Sequence, residues 1–120
     1  MKRTQAFLAA GAIIFALASA IHGGWLLDGY QHSEARIAEG VIAIMLLAGL
    51  AVSLINPPWT RRAGLLAQGF ALVGTLVGVF TIIVGVGPRT TPDVILHIGL
   101  VVLLVWGLVS TRSSVTETQS

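Results

Sequence analysis

Cysteine is absent from the 120 residues, which excludes a disulfide, a thiolate metal site, a thiol nucleophile and an iron–sulfur cluster. Charge is almost as scarce. Lys, Arg, Asp and Glu make up 10% of the chain and apolar residues 55%, whereas a soluble domain carries about 25% charged residues. A soluble globular domain is therefore a poor description. The seven Lys and Arg residues are scattered rather than gathered on one face, so a sequence pI near 10.0 does not mark a nucleic-acid binder. Also missing are a glycine-rich phosphate loop, a Ser-His-Asp set, an HExxH helix and zinc-knuckle spacing. Hydrolase and nucleotide chemistry are thus unsupported, and no catalytic residue can be named.

What is present is hydrophobic length. With a mean hydropathy of +0.89, the chain divides into four runs with little or no charge. Each suffices, or nearly so, for a helix crossing about 30 Å of hydrocarbon at about 1.5 Å per residue. The pattern predicts an all-α, four-helix transmembrane bundle occupying residues 1–112 as a single domain, with helices over about 5–27, 34–55, 61–86 and 92–111. A polar cytoplasmic tail over 113–120 follows. Asn56-Pro57-Pro58 ends the second run and Gly85-Val86-Gly87-Pro88 the third, because proline cannot continue a helix. Thr91 reads as the N-cap of the fourth and Pro92 as its first helical residue; Ser33 reads as the cap of the second. Trp25, Tyr30, Trp59 and Trp106 fall where aromatic anchors meet the membrane–water interface.

Cations give the expected orientation. Lys2, Arg3, Arg61, Arg62 and Arg112 share one side and only Arg36 and Arg89 the other, so both termini are expected in the cytoplasm. The imbalance also argues against a dual-topology dimer. A second reading of the N-terminus exists: Lys2-Arg3, the apolar run Ala6 to Leu17 and Ala18-Ser19-Ala20 have the three parts of a secretory signal peptide. Against it, the uncharged run continues to Leu27, which is span length rather than signal length.

Inside lipid, helices pack through small residues. Ala12, Ala16, Ala20 and Gly24 recur every fourth position in the first run, and the third carries Ala67 and Ala71, then Gly74 and Gly78 as a GxxxG pair. These read as packing seams, chiefly within the chain, with a homo-oligomer or a larger membrane complex as the other use. Gln68 and Thr75 share a face of the third helix and are expected to hydrogen-bond across a seam.

The ionisable residues within the spans carry the functional expectation, since a charge there is costly unless partnered. His22, Glu39 and His97, from three helices, are each expected about 8 to 9 Å inside a helix end. Asp93 precedes His97 by four positions, placing its carboxylate within reach of the ring N–H. His32, Asp28 and Glu34 occupy the first outer loop. His22, Glu39, His97, Asp93 and His32 together form a candidate metal site for zinc, copper or non-haem iron, and two opposed histidines would suit haem b. Competing readings are an Arg36–Glu39 ion pair at the interface, His22 and His97 hydrogen-bonded to each other or to Glu39 as structural glue, and a protonation site.

The run Gly85-Val86-Gly87-Pro88-Arg89-Thr90-Thr91-Pro92-Asp93 with His97 after it, and His22, His32 and Glu39 about the first loop, resembles uncharacterised small four-helix bacterial membrane proteins. The resemblance covers nearly the whole chain and implies the bacterial plasma (inner) membrane rather than a reaction. In size and layout the chain is also similar to DoxX-like proteins. Small multidrug transporters match in length but carry their glutamate in the first helix, whereas here it is Glu39 in the second. The expected role is a non-catalytic small membrane protein or accessory subunit presenting the cluster to a metal ion or haem. The alternatives are a proton-coupled transporter or channel using Glu39 and the histidines, and a structural assembly partner.

Overall fold

The computed structural model describes residues 2–113, and the expected tail beyond Ser113 lies outside the described residues. Four helices, α1 (Lys2–His22), α2 (Ser33–Ile55), α3 (Thr60–Val84) and α4 (Thr91–Ser113), form an all-α antiparallel bundle. A single 3₁₀ turn, Pro57–Trp59, joins α2 to α3. All four are long and apolar enough to cross a membrane. The bundle has a termini end, which also carries the α2–α3 turn, and a site end, which carries the other two loops.

Apolar residues point both ways, as they should where the surroundings are lipid. Leu8, Ala12, Phe15, Leu46, Ala71 and Leu104 are buried, while Ile13, Ile44, Phe80, Ile83 and Ile98 are exposed on the outer surface. The buried face of α1 follows Leu8, Ala12, Phe15, Ala18 and His22. The expected seam through Ala16 is corrected by this, since Ala16 is exposed. On α3 the small residues do form the seam: Ala67 sits against Gly49, and a Cβ at Gly74 would lie 2.8 Å from Ile42 Cδ1.

The helix ends differ from expectation in ways that place the site. Helix α1 stops at His22, five residues before Leu27, because Gly24 takes a left-handed φ of 79° and closes a cap in which Gly24 N–H donates to Ile21 O and Trp25 N–H to Ala20 O. A left-handed glycine after the last turn is a strong helix terminator. Helix α3 likewise ends at Val84 with Gly85 left-handed. The cap of α2 is His32 rather than Ser33, its Nδ1 accepting from Ala35 N–H. The cap of α4 is Thr90 rather than Thr91: its hydroxyl oxygen accepts from Asp93 N–H, and Thr90 N–H donates to the Asp93 carboxylate, a reciprocal capping box.

Polar groups tie both ends of the bundle. At the termini end Thr4 donates to Thr111 and Gln68 Nε2 to the same hydroxyl, joining α1, α3 and α4. Beside them Gln5 donates to Ser53, which is hydrogen-bonded to Thr60. Every member of this layer is neutral.

Candidate functional site

His22 is the last residue of α1, and its backbone carbonyl accepts from His32 N–H. That bond closes the 23–31 loop, setting the start of α2 beside the end of α1. Ser19 Oγ donates to Arg36 O one turn deeper. Glu39, a turn and a half into α2, is thereby brought against the His22 ring, with Nδ1 and Oε1 2.5 Å apart. From α4, Asp93 reaches the other side of the ring, Oδ1 lying 2.9 Å from Nε2. The Thr90 cap fixes that carboxylate, whose second oxygen accepts from the Thr90 hydroxyl at 2.5 Å. His22, Glu39 and Asp93 are all buried, at 2%, 6% and 5% exposure.

The result is a line of three ionisable groups from three helices, Glu39–His22–Asp93. A neutral imidazole has one N–H and cannot donate to two carboxylates. Either the ring holds both protons, or one acid holds a proton and donates it to the ring. Both arrangements satisfy the same geometry and differ only by the position of one proton along the line.

Glu39 is only half satisfied. Its Oε2 is the one buried side-chain oxygen or nitrogen without a hydrogen-bond partner among the described residues. The residue also lines a cavity of about 490 Å³ between α2, α3 and α4, walled by Phe15, Ile42, Val77, His97 and Leu100. A second cavity of about 260 Å³ lies between α1 and α4 and is lined by His22, Tyr30, Asp93 and Leu96. The three-residue line thus stands between two cavities, with Asp93 and His22 on one and Glu39 on the other.

His97 does not join the line. Its Nδ1–H donates to the backbone carbonyl of Asp93 at 2.7 Å, which corrects the expected bond to the Asp93 side chain. The Nε2 lone pair then faces α3, where a Cβ at Gly78 would lie 3.0 Å away. His32 has both ring nitrogens engaged, Nδ1 by Ala35 N–H and Nε2–H on Val86 O. Its 3.6 Å approach to Glu34 is exposed and adds little. Arg36 packs its stem against Gly23, and Glu39 bonds to His22 in place of the expected Arg36 pair. Gln68 crosses to Thr111, whereas Thr75 donates within its own helix to Ala71 O and lines the larger cavity.

Among the described residues no group of three or more His, Asp or Glu side chains is arranged to hold a metal ion. Of the three imidazoles, only His97 keeps a ring nitrogen without a hydrogen bond among those residues. Sequence reasoning missed Thr90 and Gly78. The Thr90-x-x-Asp93 spacing was a readable signal for the first; the second had none, since GxxxG reports close approach and not the neighbour approached. Comparison of the chain with protein-family models, curated proteins and solved structures found no match in any of the three.

Proposed function

We propose that this chain is a small, non-catalytic multi-pass membrane protein that couples the protonation of Glu39 to the occupancy of the cavity beside it, as a proton-coupled transporter or channel does. One observation carries the reading: Glu39, His22 and Asp93 form a continuous hydrogen-bonded line between two cavities. An imidazole can take a proton on one nitrogen and release it from the other, so His22 can pass a proton between Asp93 and Glu39 without moving its ring centre. Arrival of that proton neutralises the carboxylate that lines the larger cavity. Metal or haem binding is less well supported, because it would have to displace existing bonds on His22 and His32 and rely on His97 Nε2 alone. The cation distribution supports an orientation with both termini cytoplasmic, and the resemblance to small four-helix bacterial membrane proteins supports a bacterial plasma membrane location.

The test is infrared difference spectroscopy on protein in lipid as pH is lowered. The expected spectrum gains a carboxylic-acid C=O band that shifts in D₂O, is lost in Glu39→Gln and moves in pH in His22→Ala. Absence of any buried carboxyl band that depends on Glu39 would overturn the reading.

A further inference from the structure

The chemical class that fits the larger cavity follows from its hydrogen-bonding inventory, and it rests on the reading of Glu39 just given. Every polar side chain on the deep wall has its donor already spent. Thr75 gives its hydroxyl proton to Ala71 O, and Thr81 gives its own to Gly78 O. His97 gives Nδ1–H to Asp93 O, and nearer the mouth His32 gives Nε2–H to Val86 O. Glu39 Oε2 is buried and unpartnered. What these side chains have left is lone pairs: the buried carboxylate oxygen of Glu39, the His97 imidazole nitrogen beside Gly78 and two hydroxyl oxygens.

Charge points the same way. No Lys or Arg lines the cavity. Of the two cations at this end, Arg36 lays its Cδ beside Gly23 and Arg89 its guanidinium beside Gly85. Glu34, exposed at the mouth, adds a second negative group on the approach, which favours entry of a cation. The remainder of the wall is apolar, with Phe15, Ile42, Val77, Val86 and Leu100 prominent. A volume of about 490 Å³ is within the range of small-molecule sites, roughly 300 to 1,000 Å³.

We infer that this cavity binds an organic ammonium ion with an apolar body, its N–H groups on Glu39 and His97 and its hydrocarbon between α2, α3 and α4. An anion would set acceptor against acceptor beside a buried carboxylate. A neutral hydrocarbon would leave Glu39 Oε2 as unpaired as it is now, and a buried unpaired polar group is costly. A protonated amine supplies both the missing donor and the missing charge.

Three ligands with one body and different heads test this: 4-phenylbutylammonium, 4-phenylbutanol and 4-phenylbutyrate. Each is titrated by saturation-transfer NMR into protein in phosphatidylcholine nanodiscs at one neutral pH, with protein-free discs subtracted. The amine is expected to bind at least about tenfold tighter than the alcohol, the value of one hydrogen bond to a charged group, and the butyrate not to bind. Glu39→Gln should abolish the preference for amine over alcohol. Ala38→Trp, which adds bulk to the cavity lining, should weaken all binding by about tenfold or more while the protein elutes as wild type. Equal affinity for amine and alcohol in the wild type, or an amine preference that survives Glu39→Gln, overturns the inference. A phosphatidylethanolamine headgroup carries the same ammonium. Repeating the titration in discs containing that lipid separates the sources: displacement of the probe assigns the site to the lipid, and unchanged affinity assigns it to a free amine. The measurement is independent of proton exchange. Amine selectivity without a titrating carboxyl band would retire the coupling alone, and a titrating band without selectivity would retire this inference alone.

Discussion

His22 and His97 are both buried histidines at the site end, yet their removal should have different consequences. Replacing His22 by alanine leaves two carboxylates buried without their shared donor. The expected loss is about 3 kcal/mol, the cost of breaking a buried ion pair from one side. His97 bonds only to the carbonyl of its own helix, so His97→Ala should cost about 1 kcal/mol or less. Thermal unfolding of both variants in the same detergent measures the difference; equal losses would contradict the assigned partners. The sequence was sufficient to single out His22, Glu39 and His97 as residues out of place in apolar spans, with Asp93 just above them. It was not sufficient to pair them. The spacing of Asp93 and His97 suggests an i,i+4 bond, but the Thr90 cap draws the Asp93 carboxylate outward, where it meets the end of α1 instead.

Elements were legible as far as their apolar runs, and less so at their ends. Hydrophobicity continues through Trp25, Leu26 and Leu27, and nothing in that run reports that Gly24 turns left-handed. Gly24→Ala should therefore cost about 1 to 2 kcal/mol through the positive φ alone. It also drives a Cβ into Gln31, 2.9 Å from its Cγ. A sharper comparison lies within α4. A Cβ at Gly107 would collide with the Gln68 side-chain carbonyl, whereas nothing stands within 4 Å of one at Gly99. Gly107→Ala should destabilise by about 1 to 3 kcal/mol through overpacking, and Gly99→Ala should be neutral or better because alanine is the stronger helix former. Unfolding in a denaturing detergent series, read by loss of helical circular dichroism, ranks the two; a reversed order would refute this seam.

For the whole molecule, the number of helices and the shared side of the two termini follow from hydropathy alone, because four spans leave no other arrangement. The proposed orientation rests on the imbalance of cations and is directly measurable. Since the chain contains no cysteine, a single Lys2→Cys or Asp28→Cys variant provides one reactive thiol. In intact bacterial cells an impermeant maleimide should label the Asp28→Cys protein and spare Lys2→Cys until the cells are broken; the opposite pattern would invert the topology.

The two polar layers of the bundle respond differently to acid. Hydroxyls and amides hold the termini end, and their bonding does not change with proton activity in any ordinary range. Imidazole and carboxylates hold the other. The knot of Thr4, Gln68 and Thr111 holds no titratable group, so whatever acid changes in these two layers falls on His22, Glu39 and Asp93.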